Sequence, residues 1–317
     1  MPSSPLVSII SVNYNQATVT CEMVASLKKV SYPNIEIIVV DNASPSDDPT
    51  LITDLYPEVK LIRSEVNLGF AGGNNLGIAQ AAGEYLLFLN NDTEVEPDFL
   101  EPLVNLFQKD SKAGIASPKI IYYGTKGLIQ YAGSKGINSW TGRSVTIGQL
   151  ETDKGQYNTS APTILADGAA MMVPMKVVKK VGLMPELYFL YYEELDWCEM
   201  IKRAGYSCHY VGESTIYHKE SVSVGKASVL KTYYMNRNRL LFIRRNITGG
   251  ALWTSILIFL LAAIPKKVLE FGLRLEGKHL KALARGLWWN LTHYKIHETS
   301  YPGLTVKNKT EGLGLPA

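Results

Sequence analysis

Cysteine is scarce in this chain. Cys21, Cys198 and Cys208 are the only three in 317 residues, too few and too scattered for a disulfide framework or a CxxC zinc site. Two nucleotide-binding signatures are missing. The first predicted strand runs into SVNYNQA (11–17) rather than the G-x-G-x-x-G of a dinucleotide fold, and no G-x-x-x-x-G-K-[ST] phosphate loop occurs. A basic leader is lacking too: MPSSPLVSII turns to strand character almost at once, which sets the expectation of a reducing, cytoplasmic setting. In that setting Asn-x-Thr triplets such as Asn246-Ile247-Thr248 are chance matches. Long apolar runs are also absent. ALWTSILIFLLAAI (251–264) has 14 residues, about 21 Å as a helix against a bilayer core of about 30 Å.

What is present is an ordinary globular composition, 46% apolar, in a chain long enough for one large or two modest domains. LVSIISV (6–12), IEIIVV (35–40), KLIRS (60–64) and YLLFL (85–89) read as strands. Between them, residues 17–30 and 73–82 read as helices, and Pro97 opens another that runs to about Gln108. This β-α-β-α order predicts an α/β fold, a mostly parallel Rossmann-like sheet with helices on both faces. Residues 122–163, rich in Gly, Ser, Thr and Tyr, read as loops and edge strands over a pocket. ILADGAAMMVP (164–174) returns to strand character, and YFLYYEELDWCEMIKRAGY (188–206) turns from aromatic to acidic to helical, with a stop at Gly205.

The net charge of +3 conceals an asymmetry. From Arg237 onward 13 Lys/Arg stand against 4 Asp/Glu, a balance of +9; the 19 basic and 25 acidic residues before it give −6. After Pro265, Leu280, Leu283, Ala284, Leu287, Trp288 and Leu291 fall on one helical face, with Lys278, Lys281 and Arg285 toward the other. That pattern, with the paired Trp288 and Trp289, suits apolar and amphipathic helices lying in a membrane interface. A helix packed on the core is the commoner use of the same pattern. Nucleic acid is the poorer partner, because the apolar run fits lipid better. The expected organisation is a catalytic domain over residues 1–245 and a basic, helical membrane-associating region over 246–317.

Several strand ends carry chemistry. YLLFL ends in Asn90-Asn91-Asp92-Thr93, a carboxylate flanked by amides at the carboxyl edge of a parallel sheet, where open α/β folds bind ligands. A turn explains this stretch; so does a hard cation held by one carboxylate and substrate phosphates. Asp41 ends another strand and suits a ribose or base. NLGFAGGNNLG (67–77) suits a diphosphate at a helix N-terminus, although a flexible turn explains it equally well. His218, in IYHKES, is a second candidate ligand. YYEELDW (191–197) places three carboxylates behind an aromatic wall, where burial and repulsion raise at least one pKa and suit a general base.

Taken together, VSIISVNYN, IIVVDNAS, NLGFAGGNNLG, LFLNNDTEVEPDFL, DGAAMMV, YYEELDWCEMIKRAGY, IYHKES and YYMNRNRLLF, in that order over about residues 5–245, resemble the family 2 glycosyltransferases of the GT-A fold, close to the rhamnosyltransferase-like branch. The resemblance implies inversion at a sugar's anomeric carbon and Mg²⁺ or Mn²⁺ as cofactor. Asp92 stands where the family's D-x-D ends, Asn90 replaces its first acid, and His218 matches its later metal-binding histidine. Glu194 takes the place of the family's catalytic acid, with Glu193 and Asp196 as rivals. The nucleoside-diphosphate sugar, dTDP-rhamnose or a UDP-sugar, is expected against Val12, Asn13, Asn15, Asp41, Asn67, Gly69, Asn74 and Asn91, with Arg237 as a bidentate donor to its diphosphate. The acceptor is expected to be a glycan on a polyprenyl diphosphate, at the inner face of the cell membrane. Galactofuranose, glucose and N-acetylated sugars stand behind rhamnose, and a non-catalytic nucleotide-sugar-binding protein is the alternative.

Overall fold

The computed structural model describes residues 4–138, 140, 143–219 and 228–294. Its first part alternates strand and helix: β1 (Val7–Asn13), α1 (Ala17–Leu27), β2 (Ile35–Asp41), α2 (Thr50–Leu55), β3 (Lys60–Arg63), α3 (Gly69–Ile78) and β4 (Tyr85–Leu89). These strands pair in parallel in the order β3-β2-β1-β4. Both faces of the sheet are covered, which is why β4 is apolar throughout and β1 is buried along nearly its whole length, its Ser8, Ser11 and Asn13 included. Val7 and Ile9 of β1 and Tyr85, Leu87 and Leu89 of β4 join one core layer with Met23, Val24 and Leu27 of α1. Their alternates Ile10, Leu86 and Phe88 face the opposite layer, with Ala71 and Ile78 of α3, as a period of two requires.

The chain continues through β5 (Thr93–Val95), α4 (Leu100–Lys109), β6 (Ala113–Tyr122), β7 (Ile129–Tyr131), β8 (Ser134–Asn138), β9 (Arg143–Thr146), β10 (Ala161–Thr163), β11 (Ala170–Pro174), α5 (Met175–Val181), α6 (Glu193–Arg203) and β12 (Ser207–His218). β11 runs antiparallel to both β4 and β6, and β12 runs parallel to β6. The order β10-β12-β6-β11-β4-β1-β2-β3 is therefore a mostly parallel sheet with β11 reversed in its middle and β10 reversed at one edge. The reversal of β11 brings the segment before it to the carboxyl end of β4, where Asn90 N donates to Ala169 O at 2.9 Å. β12 pairs antiparallel with β5, His218 opposite Thr93. The turn at Asp92 thus receives one neighbour from each side.

Two expectations shift. The helix expected over 73–82 is α3, four residues earlier, because its glycines pack rather than turn. A Cβ on Gly77 would lie 2.3 Å from Ile10 Cγ2, and one on Gly73 would lie 2.9 Å from Val12 Cγ2. Close approach of α3 to β1 therefore outweighs the poor helix propensity of glycine. The last described part is helical: α7 (Val229–Asn246), α8 (Gly249–Ile258), α9 (Ile264–Leu273) and α10 (Gly277–Thr292). α10 buries Ala282, Leu283, Gly286 and Asn290, while Trp288 and Leu291 are exposed. The apolar stripe is thus split between core and solvent, because the small Gly286 lets α10 approach α7 and turns the indole of Trp288 outward. Among the described residues no helix is long and apolar enough to cross a membrane.

Candidate active site

A cavity of about 490 Å³ opens at the carboxyl edge of the sheet, with Asn90, Asn91, Asp92 and His218 on one wall and Glu193 and Glu194 on another. Asp92 and His218 are both buried, and Nε2 of the ring lies 3.0 Å from Asp92 Oδ1. Gln130 Oε1 lies 2.9 Å from His218 Nδ1. An amide oxygen accepts, so with Gln130 in this orientation Nδ1 carries a hydrogen and Nε2 is the ring atom turned to the carboxylate. A ring hydrogen on Nε2 donating to Asp92, or a cation shared by the two groups, accounts for this distance. Nitrogen and carboxylate donors suit Mn²⁺ or Mg²⁺, and Asn90, whose Nδ2 is 3.5 Å from Nε2, is the third group at hand. Among the described residues no group of three or more His, Cys, Asp or Glu is placed to hold a metal ion.

The acidic wall stands on an unusual loop. Phe189, Tyr191 and Tyr192 have φ of 63°, 69° and 77°, a conformation that costs a non-glycine residue about 1–3 kcal/mol. Neighbours from α7 hold it. Arg237 Nη2 donates to the carbonyls of Leu187 and Tyr188 at 2.6 and 2.8 Å, and Asn238 Nδ2 lies 2.7–2.9 Å from those of Tyr188, Leu190 and Tyr191. The Phe189 carbonyl accepts from Phe70 N. The loop delivers Glu193 and Glu194 to the first turn of α6. Burial pushes the Glu194 carboxyl up to about 7, with the Asp167 carboxylate adding to it. Burial, then the charge of Glu194, pushes Glu193 well above the usual carboxylate range. The Oε2 atoms of both acids have no hydrogen-bond partner among the described residues.

Two sequence candidates are directed elsewhere. Arg237 is not at the cavity; its guanidinium is spent on the loop carbonyls and lies 4.5 Å from the Trp289 ring centroid. Asp196 is fully buried on the other side of α6, where Arg245 Nε (2.9 Å) and Asn246 Nδ2 (2.6 Å) donate to it. Its carboxylate ties α6 to the end of α7 and does not reach the cavity.

The glycine-rich stretch also differs from expectation. The amides that would cradle a diphosphate are already satisfied: Leu68 N by Asn42 Oδ1, Gly69 N by Asn67 Oδ1 and Phe70 N by the Phe189 carbonyl. Val12, Asn67, Gly69 and Asn91 line the cavity. Asn74 does not; it is buried in α3 and donates to Phe70 O. Asn13 is fully buried and donates to Asp41 Oδ1 at 2.9 Å, while Asn15 Oδ1 accepts from Ser46 N. Both brace the loop after β2. Asp41 opens instead on an outer hollow of about 610 Å³, shared with Ser44, Arg63 and Glu65. Its chain neighbour Asn42 lines the cavity, so the two spaces adjoin.

The model of the family described as "Glycosyl transferase family 2" matches residues 8–181, more than half of the chain. The chain belongs to glycosyltransferase family 2. It is 28% identical over 239 residues to the low-salt glycan biosynthesis hexosyltransferase of Haloferax volcanii, covering 74% of this chain and 74% of that protein. It is 23% identical over 244 residues to the N-acetylglucosaminyl-diphospho-decaprenol L-rhamnosyltransferase of Mycobacterium tuberculosis, covering 69% and 77%. A mannosyltransferase of Pyrobaculum calidifontis, solved with GDP-Man and Mn²⁺, superposes with a TM-score of 0.56 at 16% identity, covering 90% of this chain and 88% of that one. The fold of this glycosyltransferase is GT-A.

Several cavity residues of the glycosyltransferase escaped sequence reasoning: Tyr14, Asn42, Gln130, Asp167 and Lys231. Tyr14, Asn42 and Asp167 lie beside strand ends or a strand start, in VSIISVNYN, IIVVDNAS and ILADGAAMMVP. Gln130 gave no signal, since only β6–β7 pairing brings it to His218. Glu194, Asp167 and Tyr191 also line a second cavity, of about 420 Å³, so Glu194 stands in a wall between two spaces.

Proposed function

We propose that this glycosyltransferase inverts the anomeric carbon as it moves a sugar, rhamnose first, from a nucleoside diphosphate to a hydroxyl of a lipid-linked or polysaccharide glycan, with Mn²⁺ or Mg²⁺. The observation that carries the reading is Glu194: a partly buried residue whose shielded Oε2 is unpartnered, lining two cavities, one of them shared with the Asp92–His218 pair. A carboxyl of pKa about 7 is half ionised at neutral pH, which suits a general base. Glu194 takes the proton from the acceptor hydroxyl. The oxygen then attacks the sugar from the face opposite the leaving diphosphate, and no enzyme nucleophile is needed. Glu193 holds its proton more firmly and serves as a neutral neighbour. Asp92 and His218, with Asn90, would hold the metal, which supplies positive charge to the departing diphosphate. The nucleoside would occupy the hollow at Asp41 and the diphosphate the cavity beside Asn67 and Asn91.

Rhamnose and a polyprenyl-diphosphate acceptor are supported by the mycobacterial relative's name. A UDP-sugar is the alternative donor. A catalytic part over 1–245 and a peripheral, membrane-associating part over 246–317 at the cytoplasmic face are supported by the exposed Trp253, Leu261, Leu269, Leu273 and Leu275 beside basic residues. Single-turnover transfer across a panel of nucleotide sugars, with Glu194→Gln beside the native chain, tests the reading. A fall of about 10²–10⁴ with donor affinity kept is expected; transfer at the native rate refutes the role of Glu194.

A further inference from the structure

The second cavity has two unlike ends. Asp167, Tyr191 and Glu194 form the wall it shares with the donor cavity. Arg143 of β9, Arg239 of α7 and Lys267 of α9 line it as well. Three elements remote in sequence each deliver one cation to the same space. Arg239 is buried, with its guanidinium 4.9 Å from the Phe259 ring centroid, so its position is fixed by packing. Among the described residues no carboxylate lies within ion-pair distance of Arg143 or Lys267, and Glu270, the acid that acts on Lys267, is itself paired with Arg274 at 3.1 Å. Burial and then the charges of Arg143 and Arg239 hold the Lys267 ammonium below its usual pKa. Gathering like charges in a partly dry cavity is unfavourable in the protein alone, and a bound anion reverses the sign of that energy. The helices beside the cavity add a second property. α8, α9 and the π-helical segment Phe259–Ala263 that joins them leave Trp253, Leu257, Leu261, Val268, Leu269 and Leu273 exposed. A ligand with a phosphate on an apolar chain meets both surfaces at once.

We propose that Arg143, Arg239 and Lys267 form a binding site for the phosphate or diphosphate group of the acceptor, which sets the acceptor's sugar hydroxyl toward Glu194 along the same cavity. The assignment of the ligand as acceptor rests on the glycosyl-transfer reading above; the anion site itself does not. The acceptor's lipid chain would leave over α8 and α9.

Calorimetry on the full chain, with the donor cavity saturated by nucleoside diphosphate and Mn²⁺, tests this with three probes: farnesyl phosphate, farnesol and inorganic phosphate. Farnesyl phosphate is expected to bind at least ten-fold more tightly than farnesol. The Arg143→Met, Lys267→Met double variant is expected to lose that preference while its nucleoside-diphosphate affinity stays native. Lys267→Gln alone provides the same comparison should the double variant fold poorly. Inorganic phosphate binding as tightly as farnesyl phosphate would support the anion site and assign it a soluble source. Equal binding of farnesyl phosphate and farnesol, or an unchanged preference in the variants, overturns the proposal. Failure of nucleoside diphosphate to bind in the first step would strike the glycosyl-transfer reading instead.

Discussion

Asp196→Asn separates structural from catalytic carboxylates in the acidic cluster. The native carboxylate accepts from Arg245 Nε at one oxygen and from Asn246 Nδ2 at the other, in a site where Asp196 is fully buried and the Arg245 side chain is 7% exposed. An amide in its place turns one acceptor into a donor. A donor then faces a donor, and the guanidinium stays buried without its counter-charge. Breaking a buried pair in this way costs about 3–5 kcal/mol, a large part of the roughly 5–15 kcal/mol that holds a typical protein folded. For a chain of this size the melting temperature should fall by about 5–10 °C. Scanning calorimetry reads that loss, and single-turnover transfer well below the transition reads chemistry on the molecules still folded. The transfer rate should stay within about three-fold of native, because the carboxylate does not reach the cavity. A native melting temperature would refute the structural role, and a hundred-fold slower transfer by folded protein would restore Asp196 as a rival base. Replacing both partners, Asp196→Leu with Arg245→Met, should recover part of the stability, since the cost lies in the stranded charge.

Transfer should rise as pH goes up through about 7, where Glu194 loses its proton, and the profile should flatten in Glu194→Gln. The same raised pKa means the folded state binds that proton more tightly than the unfolded chain, so its contribution to stability should decline between about pH 4.5 and 7, as urea midpoints at several pH values would record. Asp92→Asn should abolish the Mn²⁺-dependent part of nucleoside-diphosphate affinity with no change in melting temperature beyond a few degrees; calorimetry with and without metal decides. Gly69→Ala combines a φ of +70° with a Cβ placed 2.1 Å from the Phe189 carbonyl oxygen, so it should cost at least about 1–2 kcal/mol and displace the loop before Glu193, seen as lost stability and slower transfer together. Changing Trp253, Leu261 and Leu273 to Ser should reduce sedimentation with anionic liposomes while leaving donor affinity native, because all three are exposed.

The sheet was legible because its strands are short, rich in β-branched and aromatic residues and, in YLLFL, apolar along both faces. Asp92 and His218 were legible as strand ends at a sheet edge, and β5–β12 pairing explains why residues 126 positions apart meet. The start of α3 was not, since four glycines argue for a turn until Ile10 and Val12 are seen packed against them. The division of labour in YYEELDW was partly available. At 100° per residue Asp196 lies about 200° around the helix from Glu194, on the side away from it. The positive φ angles of Phe189, Tyr191 and Tyr192 left no trace in the sequence, because aromatic residues ordinarily avoid that region and only the braces from α7 impose it. Arg237 was misplaced for the same reason: a guanidinium beside a substrate cavity resembles a phosphate ligand until its partners are found to be backbone carbonyls.

The bracing of the acidic loop bears on how this enzyme can be recombined. Asn290 of α10 donates to the Arg237 carbonyl in α7, and the Arg237 guanidinium in turn holds the carbonyls of Leu187 and Tyr188. The chain of contacts thus runs in two steps from the last described helix to the loop that precedes the acids of the cavity. A terminal segment of this kind is not an interchangeable cassette. A chimera joined near residue 246 would carry Glu193 and Glu194 but leave Arg237 without the α10 side chain that seats it, so grafted tails must preserve the Gly286–Asn290 face. The geometry of the acidic loop in such hybrids should follow α7 and α10 as a unit.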